Sequence, residues 1–187
     1  MDENSNGVAV LRSQRRGDLG RLLVDGGQWQ VYELELTLEK TKWLWEQMQR
    51  YRTLFSDFTR GDVQNFYDLI SLRDSYWAEV VDEQGQTVGM IYWTGMSKII
   101  DADVHLMFFD RKPAEKVALC KDVAKWFFGE FPQYHRMTAT LPIIYHATIR
   151  LAGHIGFRRE GRKRQSQMMG GKKVDELIFG LLSSEIQ

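Results

Sequence analysis

The residues of this chain that could carry chemistry fall into a few groups. His105 stands inside the apolar run 104–109 (VHLMFF), where an imidazole titrating near neutrality can move a proton. A lone histidine in such a strand is more often a packed structural residue. Arg111, Lys112 and Lys116 surround Pro113. These cations can attract phosphate through their side chains, or can simply solvate a first helical turn. Arg158, Arg159, Arg162, Lys163, Arg164, Lys172 and Lys173 crowd residues 158–173. That patch suits a phosphate, a weak nucleic-acid contact or an acidic protein surface, although such runs are more often a solvated hairpin. The 4 histidines show neither HxxxH nor HExxH spacing and there is 1 cysteine, so no metal site and no intrachain disulfide are expected.

The rest of the composition limits what such groups can serve. At 187 residues and 21.9 kDa the chain is expected to form one domain with a substantial core. Lys+Arg and Asp+Glu both total 25, which argues against wrapping duplex DNA without sequence preference. Hydrophobic residues at 43% and aromatics at 12% exclude wholesale disorder. No apolar run is long enough for a membrane span and the N-terminus has no apolar signal core, so a soluble cytoplasmic domain is expected.

Local patterns supply the elements that must position these groups. Residues 1–27 are polar and aperiodic and read as an N-terminal arm, leaving 28–187 as the domain. Alternation over 29–36 predicts a strand. Leu44, Met48, Tyr51 and Phe55 mark one face of a helix after a Thr37 cap, and Val63, Phe66 and Ile70 mark another that Asp62 caps. Residues 76–81 and 88–93 predict a hairpin around Gly85, and 104–109 a strand buried on both faces. Pro113 opens a helix lined by Val117, Cys120, Ala124 and Phe127. A short strand at 137–141, a helix over 145–153 and a hairpin of 164–169 with 177–182 complete the order. The result is an α/β domain with a mixed sheet and helices on both faces. Trp43, Trp45, Trp77, Trp93 and Trp126 are expected at the core or its rim, and any that is exposed would mark an interface.

This order, with residues 146–157 (HATIRLAGHIGF) followed by Arg158, Arg159, Glu160 and Gly161, resembles the GNAT superfamily of acyl-CoA-dependent N-acyltransferases. The match to a "GF…EG" pattern is its most specific part, and the resemblance spans residues 29–182. It implies a V-shaped splay between the strands at 104–109 and 137–141, in which acyl-CoA lies. It places a pyrophosphate cradle, R/Q-x-x-G-x-G/A, on Arg111, Lys112, Pro113, Ala114, Glu115 and Lys116. Here Ala114 and Lys116 stand at the glycine positions, Pro113 removes an N–H donor, and the cradle reads as eroded. Leu106 and Phe108 would contact the cofactor. The family's leaving-group tyrosine falls on Ala152, which leaves Tyr145 or Tyr134 as candidate acids. His105 and Glu79 are the candidate bases, and the basic patch could meet the 3′-phosphate of CoA.

The segment 146–161 is also similar to degenerate GNAT-like proteins of short-tailed bacteriophages. On that footing the first expectation is a non-catalytic, pseudoenzyme component of an assembly such as a virion. It would need no cofactor and would engage protein partners through the arm and exposed aromatic surface. The rival expectation is an acetyl-CoA-dependent N-acetyltransferase in which a primary amine attacks the thioester directly.

Overall fold

The computed structural model describes residues 19–34, 37–50, 56–57, 62–71, 74–97, 100–109 and 113–186. Strands β1 (Leu22–Asp25), β2 (Trp29–Glu33), β3 (Ser75–Asp82), β4 (Thr87–Thr94), β5 (Asp101–Phe108), β6 (Arg136–Pro142), β7 (Arg158–Met169) and β8 (Lys172–Leu182) form one sheet. Its order is β1-β2-β3-β4-β5-β6-β8-β7, and only β5 and β6 run parallel. Helix α3 (Val117–Glu130) makes the crossover between those two, as a parallel pair requires. The expected mixed sheet is therefore present.

Helices cover both faces. Side chains alternate along each strand, so Val80, Ile91, Trp93, Ala102 and Met137 face α3 and α4 (His146–Ile155). Trp77, Met90, Tyr92 and Met107 face α1 (Leu38–Arg50) and α2 (Val63–Ile70). The Thr37 hydroxyl accepts from the Lys40 N–H at 3.1 Å, and Asp62 caps α2 by accepting from the Gln64 N–H at 2.8 Å. Both caps are where the sequence puts them. Tyr51 and Phe55 lie outside the described residues.

Three expectations need correction. Residues 22–25, read as the end of a polar arm, form β1, with Leu22 opposite Tyr32 and Asp25 opposite Gln30. The apolar Leu22-Leu23-Val24 between Gly20 and Gly26-Gly27 is a short edge strand, and Gly27 turns the chain at φ +75°. Residues 1–18 lie outside the described residues. Second, β5 is not buried on both faces: of its residues only Ala102 and Met107 are fully buried. Third, the last hairpin is longer than its apolar segments suggest, because the charged residues 158–163 extend β7 along the sheet edge. Its cations suit an edge strand, where charge opposes pairing with another chain.

The two most specific sequence features have local structural work. Gly156 ends α4 at φ +124°, and the N–H groups of Gly156 and Phe157 both donate to the Ala152 carbonyl. Glu160 accepts two hydrogen bonds from the Arg136 guanidinium, joining β7 to β6 across β8. No described helix is long and apolar enough to cross a membrane.

A side chain at Gly156 must adopt a left-handed backbone. Gly156→Ala is therefore expected to lower stability by about 1–2 kcal/mol, measured by urea denaturation.

Candidate functional site

β5 and β6 share only three ladder positions, Asp101 with Arg136, Ala102 with Met137 and Asp103 with Thr138. Beyond them the two strands part. β5 stays on β4 as far as Phe108, and β6 stays on β8 as far as Pro142. The Phe109 N–H donates to the Val88 carbonyl, so by antiparallel alternation the amides of Val104, Leu106 and Phe108 turn away from β4 and toward the gap. The Ile143 N–H donates to Asp175, which by the same alternation turns the amides of Thr140 and Pro142 toward the gap from the other side. Pro142 offers only its carbonyl there. The sheet thus holds two internal edges whose peptide groups have no ladder partner among the described residues.

On the face of α3 and α4 the gap opens into an apolar cavity of about 70 Å³. Val104 and Leu106 of β5, Met137, Ala139 and Leu141 of β6, Cys120 and Ala124 of α3, and Leu151 and Ala152 of α4 line it. Its polar side-chain groups are the Thr148 hydroxyl, the Cys120 thiol and the Trp93 indole N–H, which donates to Met137 Sδ at 3.4 Å. Burial pushes that thiol up to about 12, so it stays protonated and unreactive at neutral pH.

At the end of β5 the chain enters a 3-10 turn, Pro113–Lys116, that runs into α3. Lys116 is 0% exposed. Its ammonium lies 4.4 Å from the ring centre of Trp29 and 4.9 Å from that of Phe108, a cation held between two aromatic faces. The side chain expected to crowd the phosphate position instead folds inward against the sheet.

No protein-family model matches this chain, and no curated protein does. Solved structures do match. A spermidine N-acetyltransferase from Vibrio cholerae in complex with CoA and spermine superposes with a TM-score of 0.70 at 15% identity, over 85% of this chain and 98% of that one. A probable acetyltransferase gives 0.68 at 16% identity, over 88% and 98% of the two chains. The fold is that of the GNAT acyltransferases. The parted strands are the splay that the GNAT resemblance implies.

The candidate GNAT residues are not all brought together. Leu106 lines the cavity, while Phe108 packs on Lys116. Ala114 lies in the 3-10 turn, and Arg111 and Lys112 lie outside the described residues. Ala152 is buried in the cavity wall, so the leaving-group tyrosine has no counterpart at that point. Tyr145 precedes α4 and is half-buried. Burial raises its phenol, which keeps it protonated, but it is not among the cavity's lining residues. The Tyr134 hydroxyl donates to the Met96 carbonyl and that ring packs against Phe127, in the core.

Neither candidate base faces the cavity. Glu79 is on β3, separated from the gap by β4 and β5, and is 3% exposed. It accepts from the Lys40 ammonium and, at 2.7 Å, from the Thr87 hydroxyl. A buried carboxylate needs such partners, and they occupy it. Glu79 inside an apolar strand was the signal for a buried partner, but the sequence does not say which cation supplies it. His105 lies on the face opposite the cavity, stacked on Tyr92 with ring centres 4.4 Å apart. Its Nε2 is 3.1 Å from the Thr94 hydroxyl. Burial lowers its pKa to about 4, which leaves a neutral imidazole that is a weak base. The Trp29–Lys116–Phe108 arrangement and Thr148 were missed altogether, since no local spacing links them.

Because the folded protein binds the His105 proton less readily than the unfolded chain, stability is fully present above about pH 6.5 and falls as the pH drops toward 4. His105→Phe is expected to flatten that part of the stability profile, read from urea midpoints across the range.

Proposed function

We propose that this chain is an acyl-CoA-binding GNAT domain that transfers its acyl group to an amine by direct attack. The observation supporting this reading is the open gap between β5 and β6. The pantetheine arm of CoA is an extended chain carrying two amides. The gap presents peptide N–H and carbonyl groups on its lips and apolar side chains on its walls, the chemistry by which an added strand is held. Lys116 turns inward, so its side chain does not crowd the start of the α3 segment, whose first peptide N–H groups would be the donors for a CoA pyrophosphate.

Within that frame the amine nitrogen bonds to the acyl carbon, the C–S bond breaks, and the thiolate takes up the proton that the amine loses. A β5 amide facing the gap can polarise the thioester carbonyl. With Ala152 in the cavity wall, and Glu79, His105 and Tyr145 outside its lining, no candidate acid or base among the described residues reaches the cavity, and proton transfer is proposed to pass through solvent. The chain's contribution is then positioning more than side-chain acid–base catalysis.

A second reading keeps the chain as a non-catalytic component of an assembly, such as a phage particle. Ala152 and the proline that opens the 3-10 turn favour it. None of the described tryptophans is exposed, so an aromatic contact surface would rest on residues such as Tyr67, which is 51% exposed.

Titration calorimetry with acetyl-CoA separates the two. The acyltransferase reading expects a Kd on the order of 10 μM and a loss of about tenfold or more in Ala139→Phe, which fills the cavity. Binding absent at millimolar acetyl-CoA would leave the assembly reading in place.

A further inference from the structure

We propose that Trp77, Tyr92 and His105 form a ring platform on which an aromatic acceptor amine stacks, with His105 as its contact surface. This rests on the acyltransferase reading and names the acceptor class for it. The three residues are direct cross-strand neighbours on β3, β4 and β5. Their rings lie nearly parallel, with centres 4.1 Å apart for Trp77 and Tyr92 and 4.4 Å for Tyr92 and His105. Continuing the ladder would bring Thr140 of β6 beside His105, but β6 has already left β5 after Thr138. The stack therefore ends at the gap. Among the described residues no further ring meets His105, which is largely buried but keeps part of its surface exposed.

The placement suits an acceptor. The cavity lies on the α3 and α4 face of the sheet, and His105 lies on the other. With an acyl donor in the cavity, an amine reaches the thioester from the side of His105. Asp103 shares that face, and its carboxylate favours an ammonium group nearby. The imidazole is neutral at physiological pH and so does not repel that cation. An amine carried on a short chain from a flat ring satisfies both features, whereas a linear polyamine offers nothing to stack.

The test measures tryptamine and spermidine binding to the full chain by calorimetry, with and without acetyl-CoA. Tryptamine is expected to bind about tenfold more tightly than spermidine, the range of a stacking contact with its buried area. His105→Leu replaces the ring by an apolar side chain of similar bulk and also removes its contact with the Thr94 hydroxyl. It is expected to weaken tryptamine about tenfold and spermidine less than about twofold, while His105→Phe retains tryptamine. Spermidine binding as tightly as tryptamine, or equal losses for both amines in His105→Leu, would overturn the proposal. The outcomes also separate it from the reading beneath it. Selective tryptamine binding without any acetyl-CoA binding sinks the acyltransferase reading and leaves the platform. Acetyl-CoA binding with no preference for tryptamine does the reverse.

Discussion

Past Asp103 and Thr138, two neighbouring strands of one sheet stop exchanging hydrogen bonds, and the arrangement of the site follows from that break. Unpaired peptide groups in a buried setting are costly, so a sheet that keeps them needs something to satisfy them. Both strands are held by other partners: β5 by six ladder positions to β4, and β6 by seven to β8. Neither can close the gap without breaking those bonds. Pro142 removes one donor that closure would use. α3 and α4 roof the gap with Cys120, Ala124, Leu151 and Ala152, and the small residues among them leave the cavity open.

Charge is arranged around this break rather than inside it. Lys116 lies between Trp29 and Phe108, and Lys40 meets Glu79 on the opposite face. Each ammonium is buried beside groups that offset its lost hydration. The polar side-chain groups of the cavity are all uncharged: one hydroxyl, one protonated thiol and an indole N–H already bonded to Met137. Such a lining suits an uncharged, extended ligand segment whose polarity lies in its amides. The ring stack ending in His105 is the other consequence of the parted strands, since a paired β6 would have covered it.

Much of the fold was legible because it is written in local periodicity. The Asp62 cap, the turn at Gly85, the stripe of Cys120, Ala124 and Phe127, and the glycine that stops α4 are all short-range signals. β1 was lost because its Leu22-Leu23-Val24 is too short to show a period against its polar surroundings. The site was less legible for a physical reason. A lysine at a glycine position reads as added bulk until the direction of its side chain is known, and Trp29 and Phe108, which fix that direction, are distant in sequence. His105 and Glu79 stand out in the sequence as candidate bases, and the structure turns both away from the cavity. Their partners Tyr92, Thr94, Lys40 and Thr87 come from separate elements, so the sequence could not show that one is stacked and the other engaged.

Amide hydrogen exchange with and without acetyl-CoA tests the central claim most directly, because it reads the unpaired edges themselves. If an acyl-CoA arm adds to the sheet between β5 and β6, the amides of Leu106, Phe108 and Thr140 slow their exchange on ligand addition, while those of β1 and β2 do not change. Unaltered exchange at those three amides under saturating acetyl-CoA would contradict the account.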